Sequence, residues 1–267
     1  MTPFQKLVKS CAMALAVFLI VVIISGLCSV TGAITGLADG SSPGEMKTYP
    51  VSKTPDKLSL EIGAAALKIV TGDDFSVESN HKNLTVREED GTLKISEKKI
   101  AFSTSGESVT VILTIPEGFV FADASLETGA GKVDIDTLSA NILSLDLGAG
   151  AVDIGSLNAQ TRAKVSTGTG KLAIRDGQLH DLAMEMGVGK LEFTGQLTGT
   201  NDLNLGVGAA ELNLIGSPED YQIRLDKGIG SATVDGKSLS DGGTFGEGEH
   251  RIDIDGGIGS ISIQFVS

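Results

Sequence analysis

Tryptophan is absent from this 267-residue chain, which carries only two tyrosines and nine phenylalanines. A core of ordinary size must then be built from aliphatic side chains, and the aromatic platforms that commonly hold sugars are scarce. Cysteine is nearly absent too: Cys11 and Cys28 both fall inside an N-terminal apolar run. Beyond that run the chain can have no disulfide framework, no cysteine zinc site and no thiol nucleophile. The three histidines, His81, His180 and His250, are far apart and have no nucleophile motif beside them. Basic clusters are missing past the extreme N-terminus and the net charge is −13. That makes nucleic acid and anionic lipid poor partners, since both require clustered Lys and Arg, and no nucleic-acid partner is expected. No catalytic, cofactor-binding or metal-binding residues are assigned from the sequence.

One long hydrophobic run is present. From Ser10 to Ala38 there is no charged residue, and "CAMALAVFLIVVIISGLCSVTG" is long enough to cross a bilayer as a helix. Lys6 and Lys9 precede it while Asp39 and Glu45 follow. The positive-inside rule then places the short N-terminus in the cytoplasm and the rest of the chain outside. Secretion after signal cleavage is the alternative; against it stand the length of the run and the lack of a small-x-small cleavage site. Bulky Leu27 before Cys28 argues against a lipoprotein cysteine. Residues 1–37 are therefore read as a cytoplasmic stub and transmembrane anchor, 38–57 as an exposed linker, and 58–267 as one domain.

Glycine is the abundant residue, with 35 copies against six prolines. It recurs as Gly-x-Gly with first glycines at 129, 148, 168, 187, 206, 228 and 257, so the spacings are 19, 20, 19, 19, 22 and 29. Four residues after each origin stand Val133, Val152, Leu172, Leu191, Ala210, Ala232 and Ile261. Six after stand Ile135, Ile154, Ile174, Phe193, Leu212, Val234 and Ile263. Three before stand Leu126, Leu145, Val165, Met184, Leu203, Leu225 and Ile254. Every one is apolar, and the residue five after the origin is mostly polar. Such alternation is the period of a half-buried strand. A ladder at fixed offsets with a period of 19–20 residues predicts an all-β fold, a single β-solenoid of 19–20-residue coils. Stacking at ~4.8 Å per coil would place each aliphatic above its equivalent. Residues 121–267 form the regular part. Residues 58–120 are less regular, with Gly63 fitting the template through Leu60, Leu67 and Ile69, and a hairpin signal at Asp90–Gly91. They are expected to cap one end. The glycines are expected to turn sharp corners with φ > 0, so replacing Gly148 or Gly187 by Val should cost stability. "LSDGGTFGEGEHR" (239–251) reads as a projecting loop or hairpin, and "SISIQFVS" (260–267) as an uncapped edge strand.

A membrane anchor, "LTIPEGF" (113–119) and tandem LxxGxGxVxI coils together resemble the bacterial putative-adhesin family of domains of unknown function. The resemblance covers about residues 58–265. It implies an envelope protein with a glycine-rich β-solenoid, and makes envelope-stress signalling a second role. The Gly-x-Gly turns do not fit a dinucleotide fingerprint, because a strand rather than a helix follows and the third glycine is missing.

Two polar features have functional readings. Glu127, Asp146, Glu185, Asp226 and Asp255 stand two before the origins, and Asp134, Asp153, Glu192 and Glu211 five after. Stacked carboxylates either stay solvated or recruit a cation; weak divalent binding is the alternative to a solvated face. "RDGQLHD" (Arg175, Asp176, His180, Asp181) is the densest polar cluster and reads as a corner loop. The resulting expectation is a non-enzymatic interaction or regulatory module in the cell envelope, its partner an envelope protein or surface ligand. Two alternatives are a scaffold that self-associates end to end and a glycan-active enzyme dependent on Asp176 or His180.

Overall fold

The computed structural model describes residues 44–97 and 109–266. The chain divides into two units, Met1–Gly40 and Ser41–Ser267, and all described residues belong to the second. The expected membrane segment, 1–37, lies outside the described residues, among which no helix is long and apolar enough to cross a bilayer.

The alternating pattern produces an almost wholly β structure. One mixed sheet of fifteen strands accounts for it, with a single 3-10 turn at Pro218–Asp220 among the described residues. The strands are β1 (Lys47–Pro50), β2 (Lys57–Ile62), β3 (Ala66–Gly72), β4 (Ser76–Ser79), β5 (Leu84–Glu89), β6 (Thr92–Glu97) and β7 (Thr110–Pro116). Three long ones follow: β8 (Phe121–His180), β9 (Leu182–Thr198) and β10 (Thr200–Ile215). The last five are β11 (Tyr221–Asp226), β12 (Ile229–Val234), β13 (Lys237–Ser238), β14 (Gly243–Phe245) and β15 (His250–Val266). Strand β1 falls inside the stretch expected to be linker, where it pairs antiparallel with β4.

Successive repeats lie parallel, one period apart. Val165 pairs with Met184 and Met184 with Leu203; Leu172 pairs with Leu191 and Leu191 with Ala210. All the aliphatic positions picked out by the glycine template are buried. Each fully buried Val, Leu or Ile contributes roughly 1.5–3 kcal/mol. The Gly63 assignment holds as well: Leu60 pairs with Leu126, Leu67 with Val133 and Ile69 with Ile135. Ala173, the one apolar residue in a polar row, is buried.

The positive φ expected of the glycines is present at the second of each pair, but it serves no sharp corner at most of them. Extended backbone runs through most of the Gly-x-Gly sites, and β8 continues unbroken for 60 residues across three of them. The first glycine is needed for close approach. A Cβ on Gly148 would collide with the backbone carbonyl oxygen of Gly129 in the preceding repeat. The second glycine carries the conformational demand, with φ +150 at Gly150, where a Cβ would also meet the Gly131 carbonyl. Close backbone stacking is thus required of both residues, and the second also carries the positive φ.

The order of repeats also departs from a simple succession. Strand β10 pairs with β15, and β15 pairs on its other side with β11 and β12. Strand β15 is inserted one place inward, so in the expected edge strand residues 260–263 are paired on both sides, with β10 and β12, while residues 264–266 pair with β10 alone. Part of each outer edge is covered antiparallel, residues 223–225 of β11 by β14 and residues 233–234 of β12 by β13. Of the segment expected to project as a loop or hairpin, residues 243–245 lie along the sheet edge. The opposite end follows the same logic. Strands β2 and β3 pair inward with β8 and outward with β6 and β7, which β5 and β4 cover antiparallel. The Asp90–Gly91 hairpin forms as expected between β5 and β6, with both turn residues at positive φ (50 and 72). Antiparallel cover at each end satisfies main-chain groups that would otherwise template further strands.

Most of the scarce aromatics plug these two ends. Phe75, Phe119 and Phe121 form one cluster, with centroids 4.8 to 6.1 Å apart. Tyr221, Phe245 and Phe265 form the other, at 5.4 and 5.6 Å. Phe193, buried in the aliphatic stack, fits because its ring lies over Gly177, where a Cβ would strike it.

Candidate functional site

Two rows of acidic residues flank the glycine pairs, the first interrupted by Ser166 and Asn204 and the second by Ala173, Thr233 and Ser262, and the structure treats the rows differently. The row after the turn is neutralised by the protein's own cations. Lys132 meets Asp134 at 2.9 Å, Lys171 meets Glu192 at 2.7 Å, and Lys190 bridges Glu192 and Glu211 at 2.9 and 3.0 Å. Arg175 pairs with Asp153. The flanking Lys171, then Lys190, hold the Glu192 carboxyl below the ordinary carboxylate range. Exposed pairs of this kind contribute ~0–1 kcal/mol each, so their main effect is to remove this row as a free anionic surface.

The row before the turn has no such partners. Glu185 stands beside Asn204, Asn204 beside Asp255, and Asp255 beside Asp226. Among the described residues no ion pair reaches Glu127, Asp146, Glu185, Asp226 or Asp255. A groove of about 620 Å³ runs along this row, with Asp146, Glu185 and Asp255 on its wall and Met186, Leu205 and four turn glycines in its lining. Negative charge is crowded where it ends. Asp241, hydrogen-bonded to Asp226, pushes the Asp226 carboxyl above its ordinary value; burial and then Asp255 add to the shift. Among the described residues no group of three or more His, Cys, Asp or Glu is arranged to hold a metal ion.

The RDGQLHD cluster is only partly assembled. Asp176 and His180 line a second groove of about 400 Å³, together with Ser139, Ser156, Asn158, Gln178, Gln196 and Thr198. Asp176 accepts a hydrogen bond from Ser156 Oγ at 3.3 Å, and His180 Nδ1 lies 2.9 Å from Thr198 Oγ1. Arg175 is drawn away to Asp153, and Asp181 accepts the Thr200 N–H at 2.9 Å. No hydrogen bond or ion pair joins Asp176 to His180 among the described residues. His180 meets Asp181 instead, Nε2 to Oδ1 at 3.7 Å, beyond the hydrogen-bond reach that a base and its orienting partner use. His250 lies apart, edge-on to Tyr221 at 5.7 Å.

Two buried polar devices have no obvious sequence signal. His81 is 3 % exposed, its Nε2–H donating to Glu97 Oε1 at 2.8 Å while its Nδ1 accepts the Asn83 N–H at 3.0 Å. Glu97 Oε2 accepts the N–H groups of Gly63 and Ala64 at 2.8 and 3.3 Å. The clue was indirect: the Asp90–Gly91 hairpin sets Leu84 opposite Glu97 and so brings His81 near. Asn201, fully buried, accepts the Leu182 N–H at 3.0 Å and donates to the Arg251 carbonyl at 3.0 Å. It ties β9, β10 and β15 together across the point where the chain order is broken.

The chain matches no known protein family and no curated protein. Among solved structures it is similar to a putative cell adhesion protein from Clostridium sporogenes, at 16% identity and TM-score 0.35, covering 84% of this chain and 100% of that one. It is also similar to a putative adhesin from Bacteroides fragilis, at 17% identity and TM-score 0.42, covering 85% and 100%. A putative lipid binding protein from Parabacteroides distasonis is similar at 18% identity and TM-score 0.29, covering 85% and 98%.

Proposed function

We propose that this chain is a single-pass envelope protein whose outward-facing domain is a β-solenoid acting as a non-enzymatic interaction module, adhesin-like or regulatory. The observation that carries this reading is the antiparallel cover at both ends of the parallel stack. With its ends finished by short antiparallel strands of two to six residues, the stack offers only interrupted edges for adding strands, and its contacts with partners fall to the lateral surface. That surface is ordered at the repeat spacing and bears one row of unneutralised carboxylates. The scattered histidines and the separation of Asp176 from His180 support a binding role over a catalytic one. The N-terminal charge pattern supports the membrane placement.

Light scattering and cross-linking test the reading together. The full chain in zwitterionic nanodiscs should stay one copy per disc as its concentration rises. Cross-linking in native membranes should join lateral residues to a partner. Filaments, or cross-links confined to β13, β14, β1 and β5, would favour the self-assembling scaffold instead. Loss of an envelope-polysaccharide turnover on replacing Asp176 or His180 would revive the enzyme.

A further inference from the structure

The apex residue, between the two glycines of each pair, has no side chain on either neighbour, and Ala64 holds the same place between Gly63 and Ala65; Ala130, Ala149, Ile258 and Ile229 are exposed there, while Ala64, Thr169, Val188 and Val207 are half-buried. In spatial order these residues are Ala64, Ala130, Ala149, Thr169, Val188, Val207, Ile258 and Ile229. The order follows from the pairing of Thr169 with Val188, Val188 with Val207, Val207 with Ile258 and Ile258 with Ile229. Along this line the side chain grows from a methyl to a full isoleucine. The two largest are also well exposed, Ile229 at 52% and Ile258 at 39%. Nothing in the fold requires this gradient, because an exposed apex would accept Ser, Asn or Asp at any repeat. An apolar strip that is widest at one end and bare of neighbouring side chains is an unusual use of exposed surface.

The strip has an acidic border without ion pairs on one side, interrupted by Lys227, which shares a pocket lining with Val207 and Ile258. Three residues before it run Glu185, Asn204, Asp255 and Asp226, the unneutralised row, with the groove lined by Met186 and Leu205 between. Three residues before a position in the turn is close enough for one ligand to meet both rows. On the other side stand Lys190, committed to Glu192 and Glu211 at 2.9 and 3.0 Å, and the small uncharged Ala209, Ser260 and Ser231. Asp202 and Asp253 extend the negative border, with Arg251 engaged by Asp253 at 2.8 Å.

We propose that the strip Val188–Val207–Ile258–Ile229, with its carboxylate border, docks a basic amphipathic helix of a partner protein. Spacing supports a helix lying along the strip. Neighbouring strands repeat at ~4.8 Å and a helix turns every ~5.4 Å, so successive apolar turns stay near successive side chains over four repeats. Those repeats span ~14 Å, about ten helical residues. Lys or Arg four residues apart on one flank would face Glu185, Asp255 and Asp226 and relieve the repulsion that lifts the Asp226 carboxyl. A second copy of this chain fits less well. The strip is only roughly 35 Å by 10 Å over all its repeats, well short of the ~800 Å² per partner of a standard interface, and two copies would bring like charges together.

This inference rests on the interaction-module reading and narrows it to one strip and one ligand chemistry. The test uses the full chain in phosphatidylcholine nanodiscs, with empty discs subtracted. The probe is a 14-residue acetylated peptide of Leu and Lys patterned as an amphipathic helix, carrying one photoreactive leucine. Its counterpart has Glu in place of every Lys. Saturable anisotropy change is expected with the Lys peptide only, with cross-links on 188–260. The pair Ile229→Ser and Ile258→Ser, both exposed and so compatible with folding, should weaken binding at least about tenfold. Asp226→Asn with Asp255→Asn should do the same and flatten the salt dependence. Unfolding midpoints are measured alongside to show that both double variants remain folded. Equal binding of the Glu peptide, unchanged binding in both variants, or cross-links elsewhere would overturn the proposal. Self-association lost in the isoleucine variant would assign the strip to a second copy and overturn it as well. If the peptide fails while native-membrane cross-linking still maps a partner to another lateral face, the strip assignment falls and the wider reading stands. If no lateral partner is found either, both fall.

Discussion

Three glycine-to-alanine replacements separate the two tasks that glycine performs in this stack. At Gly148 the added Cβ meets the Gly129 carbonyl oxygen, with no positive φ to strain. A rigid backbone neighbour cannot move aside as a flexible side chain can, so overpacking should cost about 2 kcal/mol. At Gly150 the same kind of collision, with Gly131, adds to a φ of +150. Gly242 has φ +68 and nothing within 4 Å of a Cβ, so it isolates the conformational cost. The left-handed penalty there, about 1–2 kcal/mol, is partly offset by the stiffer unfolded chain. The net cost should be about 1 kcal/mol. Taking about 3 kcal/mol for Gly150→Ala and 2–4 °C per kcal/mol for a domain of this size, its melting temperature should fall by roughly 6–12 °C. Gly148→Ala should fall between the other two. Thermal unfolding of the full chain, followed by far-UV circular dichroism, reads all three. If Gly148→Ala is no worse than Gly242→Ala, close backbone stacking is not what the first glycine provides.

Other consequences are as specific. Asn201→Leu should lose about 2–4 kcal/mol, because the Leu182 N–H and Arg251 carbonyl are left buried without partners; hydrogen exchange should rise first in β15, and unaltered exchange there would refute the tie. Phe193→Ala should cost about 3–5 kcal/mol in urea unfolding, since its cavity is walled by rigid strands. A loss below about 1 kcal/mol would show that the stack closes over it. Asp226→Asn should raise the melting temperature at pH 7. Its carboxyl titrates higher folded than unfolded, so the wild type gains stability as pH falls through that raised value, and the variant's advantage should fade towards pH ~4. Glu192 has the opposite sign. The stability it contributes is full above its unfolded value and is lost as pH falls through its depressed folded value, so Glu192→Gln should shrink the acid-side loss. Melting curves between pH 3 and 8 check both.

The local arrangement was legible because strand periodicity is a short-range property. Residues such as Leu126, Val133 and Ile135 are apolar at fixed distances from Gly129, and a parallel stack buries equivalent positions together whatever their order. The hairpin at Asp90–Gly91 is local for the same reason. The acidic rows could be counted, but not which one would be neutralised. That depends on Lys171 and Lys190 reaching Glu192 across adjacent repeats. The graded apex could not be recognised either, since Ile229 precedes Ile258 in the chain yet lies beyond it in space.

By itself, then, the sequence determined the strand period, the buried aliphatic ladder and the positions where only glycine fits. These follow from alternation and from contacts between a residue and its own repeat. Tertiary structure alone decided that β15 enters between β10 and β11–β12, that both ends are covered, and that Asn201 and the His81–Glu97 pair are buried. Those outcomes depend on satisfying edge hydrogen bonds and buried polar groups between segments tens of residues apart, a requirement that no local pattern of side chains expresses.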